Sequence, residues 1–511
     1  MIFHSGKTQI YKLSLFLCFI IASSGCQRNA EERVLDEGKA LSQKHCTSCH
    51  LLPDPALLDK LTWENGVLPA MAEQLGIEVL EGNMYLHHST SAISSADWSK
   101  LTNYYKTLAP ESLPANSAKM PLTGDSSLFT VLKPNGDTTT TSSTTLVAID
   151  SLNQQIFVGD SYESTLMKFG RNMGKSLTIK VPSPATDIHF TNMVEYPYLV
   201  TCMGGMQAVD ATRGQVIAFS NGKVSAQKLL SNDLIRPIET RSMDFNKDGL
   251  RDYLICAFGH NRGGLYLLVQ NRNKSFKQVA IRATPGVTNT VIRDFNHDGW
   301  PDIMALFAHG NEGIWLFLND QKGGFKEKNL LRFPSVYGSS SFQLVDMNRD
   351  GKADIVYTAG DNSDYSRILK PYHGLYIFTD TGELDFKQTF FYPINGCTKA
   401  VARDFDGDGA VDIATIAFFA DLKNKPEETF IYFKNTSGSA TRFTPQSIPI
   451  HQLGRWICMD VNDFDGDGDA DIVLGNYSRG FLNQEKVKPE WNIHLPFIVL
   501  QNNTISSKKR H

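Results

Sequence analysis

Three side chains, Cys46, Cys49 and His50, are spaced for a particular chemistry. In Cys46-Thr-Ser-Cys49-His50 two thiols can form thioethers to the vinyl groups of a haem while the adjacent imidazole supplies an axial nitrogen to the iron. That requires all three on one short helical turn. With 8 Cys and 13 His in 511 residues, chance supplies only about 0.003 copies of this pattern. The alternative is a zinc or redox C-x-x-C. Zinc would want a second Cys or His pair nearby, and none follows at that spacing. For the sixth iron ligand Met71, Met84, His87 and His88 compete. Met71, behind Pro69, is preferred because a thioether raises the potential of an electron carrier, although a Met on an apolar face usually only packs.

A second chemistry recurs five times. Asp244, Asn246, Asp248 and Asp252 stand at positions 1, 3, 5 and 9 of a loop whose position 6 is Gly249. The equivalents are Asp294, Asn296, Asp298 and Asp302; Asp346, Asn348, Asp350 and Asp354; Asp404, Asp406, Asp408 and Asp412; and Asp463, Asp465, Asp467 and Asp471. Carboxylate and amide oxygens at this spacing, with Gly turning the chain and a backbone carbonyl at position 7, build a hard oxygen cage for Ca2+. Any single copy could instead be a hydrogen-bonded Asx turn without metal. The loops at Asp404 and Asp463 carry Asp rather than Asn at position 3, so the added charge predicts the tightest binding there.

These residues need elements to hold them. Around the thiols, residues 38–46 read as a helix running into the motif. Pro53-Asp54-Pro55 follows, and Ser94–Leu108 reads as a second helix ending before Ala109-Pro110. Each acidic loop precedes a short apolar run, such as Tyr253-Leu-Ile-Cys-Ala or Ile303-Met-Ala-Leu-Phe, as expected of strands buried on both faces. Loop starts fall 50, 52, 58 and 59 residues apart, a repeat period with room for one four-stranded unit per copy.

Residues 35–110 resemble a small class I cytochrome c domain, and the acidic repeats resemble the FG-GAP or VCBS-type repeats of calcium-binding β-propellers, including the integrin α-subunit head. The second resemblance implies a fold and a metal, not an activity. Asp150–Gly159 and Asp187–Cys202 read as two degenerate blades without acidic loops, which makes seven in a ring with few free strand edges. The expected fold class is therefore mixed and multidomain: a small all-α cytochrome c-like domain (35–112), a linker (113–126), an all-β seven-bladed propeller (127–503) and a polar tail (504–511). Residues 111–143 read as linker plus entry strand, and Phe497–Gln501 is expected to complete the last blade.

If each acidic loop joins the first and second strands, the loops between second and third strands lie on the opposite face. There Asp361, Asp364 and His373 occupy a long insertion. Arg236, Asn395, Arg455 and Trp456 fall just before first strands, near the central channel. Aromatics, acids, amides and Arg around a pore suit a carbohydrate or small-anion site, with His373 as the acid or base candidate beside Asp361, Asp364 and Arg455. The bland alternative is a solvated rim of Asx turns. No nucleophile elbow, P-loop or H-E-x-x-H motif is present.

Composition fits this plan. The chain is 41% hydrophobic and 20% charged with a net charge of −4, so no basic excess exists to neutralise a phosphate backbone, and nucleic acid is not an expected partner. At the start, Lys7 and Lys12 precede the apolar run Leu13–Ala22 and then Ser23-Ser24-Gly25-Cys26. Such a run suits a signal peptide rather than a membrane span. The small residues before Cys26 resemble a bacterial lipoprotein signal, which implies a signal peptide at 1–25, lipidation of Cys26, a short tether (26–34), and a place in the bacterial cell envelope, periplasmic or on the outer-membrane surface. Ser23 stands where that signal usually has an aliphatic residue, so ordinary cleavage is the alternative. Cys202, Cys256, Cys397 and Cys458 are left over, in or near apolar strands, and read as buried thiols rather than bridges. Together these observations imply a membrane-tethered c-type cytochrome that exchanges electrons with a redox partner protein or small-molecule donor, its propeller binding a substrate or partner. The rival expectations are a haem-linked oxidoreductase acting on a carbohydrate or other small molecule, and a calcium-stabilised, adhesin-like binding protein.

Overall fold

The computed structural model describes residues 31–80, 83–116, 119–124, 127–135, 139–191, 193–219, 227–363, 367–438, 441–479 and 488–505. Cys26 and the signal peptide expected before it lie outside the described residues, as does Asp364. Among the described residues no helix is long and apolar enough to cross a membrane. The chain forms two compact units that part between Pro114 and Ala115, inside the expected linker.

In the first unit a helix over 31–46 ends at Cys46 and packs against the helix Ser95–Leu108. Gly38 permits the close approach: a Cβ there would lie 2.5 Å from the Lys100 carbonyl oxygen and 2.7 Å from the Tyr104 Cβ, so no larger side chain fits without moving backbone. Ser94 caps the second helix by accepting from Asp97 N, one of the orphan donors at a helix start. Trp98, Leu101, Tyr104 and Tyr105 form its buried face. Tyr105 lies against Trp63, ring centroids 4.3 Å apart, and both tie to the proline-rich turn, Trp63 Nε1 donating to the Pro55 carbonyl and Tyr105 Oη to that of Pro53. The unit is not all-α as expected. Ile77–Val79 pairs antiparallel with Tyr85–His87, three-residue strands too short to leave a periodic signature.

Among the described residues the second unit contains seven sheets, each with four antiparallel strands in sequence order except at the ring closure, and the sixth gains a fifth, parallel strand. The blades start at Thr144, Ala185, Pro237, Val287, Ser339, Cys397 and Trp456, and are numbered here in that order. This is a seven-bladed β-propeller, with the two blades lacking acidic loops where the sequence placed them. Neighbouring blades meet along their first strands. Second strands such as Asp252–Ala257, Asp302–Phe307 and Asp471–Asn476 are buried throughout, as their continuous apolar runs predict.

Two expectations change. Phe497–Asn502 is the third strand of blade 7, not the last; the fourth comes from the N-terminal side, Phe129–Leu132 pairing with it in the register Val499↔Leu132. A strand from one end of the unit thus closes the ring and removes an open edge. Nor is the linker free throughout. Thr123–Gly124 adds in parallel to the outer strand of blade 6. Lys119 Nζ lies 2.8 Å from Glu428 Oε1 and donates to the Pro393 carbonyl, while Tyr392 Oη donates to the Met120 carbonyl.

Candidate functional site

At the end of the 31–46 helix the chain makes one more turn: Cys49 N and His50 N both donate to the Cys46 carbonyl, at 3.3 and 3.4 Å. This places both thiols and the imidazole within a single turn. Both thiols are free, Cys46 half-buried and Cys49 exposed. Burial, then the neighbouring Cys49, pushes the Cys46 thiol up to about 11, which keeps it protonated. His50 Nδ1 lies 2.7 Å from the Leu51 carbonyl. A carbonyl only accepts, so Nδ1 is the donor, which leaves Nε2 as the ring nitrogen that could ligate a metal. The donor set fits haem c. Among the sixth-ligand candidates, Met71 sits half-buried in the helix Leu68–Gln74 and Met84 is 59% exposed. His88 Nε2 is engaged with Glu78 Oε2 at 3.1 Å, whereas the buried His87 Nδ1 has no hydrogen-bond partner.

The acidic loops join first to second strands as expected, for example Pro237–Met243 to Asp252–Ala257. Position 6 is Gly in all five with φ from 83° to 99°, and position 4 is also left-handed, at Lys247, His297, Arg349, Gly407 and Gly466. Gly at position 6 meets that demand without strain. In the first loop Asp244 accepts from Asp248 N and Gly249 N, and Asp248 accepts from Leu250 N; the second and third loops repeat this pattern. In the fourth and fifth loops three carboxylates converge: Asp404, Asp406 and Asp412, and Asp463, Asp465 and Asp471, with ligand atoms all within 4.8 Å of one another. Such clusters suit a hard cation. In the Asn-bearing loops the position 3 amide instead donates to position 5, as from Asn246 Nδ2 to Asp248 Oδ2.

Position 9 has a role the spacing did not reveal. Asp252, Asp302, Asp354, Asp412 and Asp471 are completely buried, and each staples two strands. Asp252 accepts from Phe245 N and Gln270 N, Asp302 from Phe295 N and Asn319 N, and Asp471 from Phe464 N and Asn502 N. Burial raises the Asp412 and Asp471 carboxyls to about 6.

A second feature went unread. In every blade the second residue of the first strand is bulged out of register. In five blades it is a hydroxyl residue: Thr145, Thr186, Thr288, Ser340 and Thr398. Thr145 Oγ1 donates to the Ala185 carbonyl, Thr186 Oγ1 to that of Pro237 and Ser340 Oγ to that of Cys397, each the first strand residue of the next blade. The signal was present in the repeats, because Thr288, Ser340 and Thr398 each stand six residues before an acidic loop.

The opposite face differs from the carbohydrate or small-anion site around a pore that the sequence suggests. His373 and Arg455 are each only 1% exposed. Arg455 Nε donates to the Phe418 carbonyl and its guanidinium lies 4.0 Å from the Phe418 ring, so the cation is part of the packing. Burial, then the charge of Lys370, holds the His373 imidazole well below its usual range, hence neutral. Asp361 N donates to the Gly338 carbonyl. Trp456 is buried, Asn395 Oδ1 accepts from Asn116 Nδ2, and Arg236 Nη1 donates to the Gly259 carbonyl. Cys202, Cys256 and Cys397 are buried free thiols and Cys458 a half-buried one.

With the repeat geometry established, comparison with known proteins is informative. Residues 244–305, 294–357 and 404–474 match the FG-GAP-like repeat. The chain carries FG-GAP-like repeats. Among curated relatives, a T-cell immunomodulatory protein homolog of Plasmodium falciparum (isolate 3D7) is 28% identical over 132 residues, 24% of this chain and 18% of that protein. One of Plasmodium yoelii yoelii is 25% identical over 207 residues, 34% of this chain and 29% of that protein. The chain thus spans less than a third of either relative. Similar solved structures include the N-terminal domain of Nup159, 12% identical with a TM-score of 0.44 over 76% of this chain and 99% of that one. Another is the β-propeller domain of Myceliophteria thermophila Cps50 (Swd1), 10% identical with a TM-score of 0.42 over 71% and 98%.

Proposed function

We propose that the first unit is a c-type cytochrome domain that transfers electrons, and that the second is a calcium-binding propeller that docks a substrate or partner. The observation that carries the reading is at His50: its Nδ1 proton is fixed on the Leu51 carbonyl one residue after two free thiols on the same turn. Cys46 and Cys49 would hold the porphyrin, His50 would hold the iron, and Met71 remains our choice for the sixth iron ligand. A haem so held would supply one-electron transfer, its orientation fixed by Cys46, Cys49 and His50. Lipidation of Cys26 in a bacterial envelope and a redox partner protein or small-molecule donor belong to the same reading. Joining the units on one chain raises their effective concentration.

The burial of His373 and Arg455 favours a binding propeller over one that oxidises a carbohydrate or other small molecule itself. The test is expression of the full chain in a host that matures c-type cytochromes. Wild type is expected to show Soret absorbance and haem staining after denaturing electrophoresis, with Cys46→Ala or Cys49→Ala abolishing or sharply lowering the stain. Colourless wild-type protein, or a stain unaffected by both substitutions, overturns the reading. Haem reduction by a carbohydrate alone would reinstate the oxidoreductase.

A further inference from the structure

The fourth and fifth acidic loops match acid for acid at positions 1, 3, 5 and 9, yet the residue facing position 3 differs. It lies on the third strand, immediately before the residue whose backbone N–H binds the position 9 carboxylate. In blade 6 this is Lys434, whose Nζ lies 2.6 Å from Asp406 Oδ2. In blade 7 it is Gln501, whose Nε2 donates to Asp465 Oδ2 at 2.5 Å. In blades 3, 4 and 5, whose loops have Asn at position 3, the same place holds Val269, Leu318 and Thr379. Within this one chain, a polar partner therefore accompanies the extra carboxylate, and in only one of the two cases is it charged.

We propose that Lys434 is a tethered cation that fills the fourth loop in the metal-free protein, so that this loop takes up Ca2+ more weakly than the fifth. The ammonium occupies an oxygen that the ion would need; Asp406 is 13% exposed and Lys434 40% exposed, so solvent screens the pair only in part. Ca2+ must either displace Nζ or enter beside a positive charge a few ångströms away, a repulsion large enough to cost roughly tenfold or more in affinity. The fifth loop has no such compensation: Asp463, Asp465, Asp467, Asp469 and Asp471 face a neutral amide. It also secures the end of the propeller, Ile505 N donating to Asp469 Oδ2 and Asn502 N to Asp471 Oδ1. Blade 7, where the ring closes, is thus the calcium-responsive blade, and blade 6 holds its loop without metal.

This rests on the calcium reading of the loops, and the test separates the two. The haem-loaded full chain is stripped with chelator and titrated calorimetrically with Ca2+, and its thermal unfolding is followed in chelator. Lys434→Gln, which copies the blade 7 arrangement and should fold, is expected to tighten one site by roughly tenfold or more and to lower the melting temperature in chelator. Gln501→Lys should weaken one site, and Lys434→Arg should match wild type. If the Lys434→Gln isotherm and chelator melt both coincide with wild type, the tethered cation is overturned. If no variant binds Ca2+ yet Lys434→Gln still melts earlier in chelator, the calcium reading fails while the ammonium's hold on the loop stands.

Discussion

Blades 1 and 2 make the turn between their first two strands without an acidic loop, and blades 3 to 7 make it with one. In blade 1 the turn spans 151–154, and Asp150 accepts from both Asn153 N and Asn153 Nδ2. In blade 2 the Thr191 hydroxyl donates to the Tyr196 carbonyl and accepts from Met193 N. Both blades nevertheless have four strands and the same bulge in the first strand as the other five. An acidic loop is therefore not required to build a blade. Crowding three carboxylates to within 4.8 Å in blades 6 and 7 opposes folding unless a cation answers them; in blade 6 the Lys434 ammonium, 2.6 Å from Asp406, is such a cation.

The sharpest way to break this comparison is at position 9. Asp471→Ala strips two buried backbone N–H groups, of Phe464 and Asn502, of their acceptor, and should cost about 4 kcal/mol in urea unfolding in chelator, with a further loss in Ca2+ because a ligand goes too. Asp150→Ala in blade 1 should cost about 1 kcal/mol. Equal losses would mean that the two kinds of turn are held alike. Next in size is the ion. At about 100 times its dissociation constant Ca2+ should add roughly 3 kcal/mol per site, and Asp463→Asn with Asp465→Asn should remove one such increment. The substitutions should lower the melting temperature only when Ca2+ is present. An equal loss in chelator would mean that the acids serve the turn alone.

The repeats were legible because each loop states its own chemistry within nine residues and the apolar run after it fixes the second strand. What lay outside the loops was harder to read. Phe129–Leu132 is a four-residue strand whose partner, Phe497–Asn502, lies more than 350 residues away, and no local pattern announces such a pairing. His373 and Arg455 look like site residues because they stand next to turns, but the rings of Tyr372 and Phe418 pack against them. The thiol motif was plain, whereas the carbonyl that orients His50 belongs to the next residue and is a matter of backbone geometry. Position 9 was read as a ligand and proved also to be a staple, because spacing alone does not tell a carboxylate facing an ion from one facing two amides.

Glu312, between blades 4 and 5, extends the contrast to an acid outside the loops. Its carboxylate accepts from Ser339 N, but burial raises it to about 8 from 4.5. The folded state thus holds a proton that the unfolded chain has released. The stabilisation is complete below pH 4.5 and disappears as pH rises through the folded value near 8. Between about pH 5 and pH 7 this amounts to roughly 2 to 3 kcal/mol. Glu312→Gln keeps the acceptor and should flatten that part of the pH–stability curve relative to wild type; unchanged curvature would place the proton elsewhere.

The smallest effects test what all seven blades share. If bulge hydroxyls link each blade to the next, Thr145→Val and Ser340→Ala each lose a donor to the following blade, from Thr145 to Ala185 and from Ser340 to Cys397. Each should cost about 1 kcal/mol, irrespective of Ca2+, although Thr145 belongs to a blade without an acidic loop and Ser340 to one with it. The two sites share no partner, so the double variant should lose the sum to within about 0.5 kcal/mol. A Ca2+-dependent loss confined to Ser340→Ala would mean that the acidic loop governs the blade junction. The two classes of blade would then differ in how they assemble the ring as well as in how they turn.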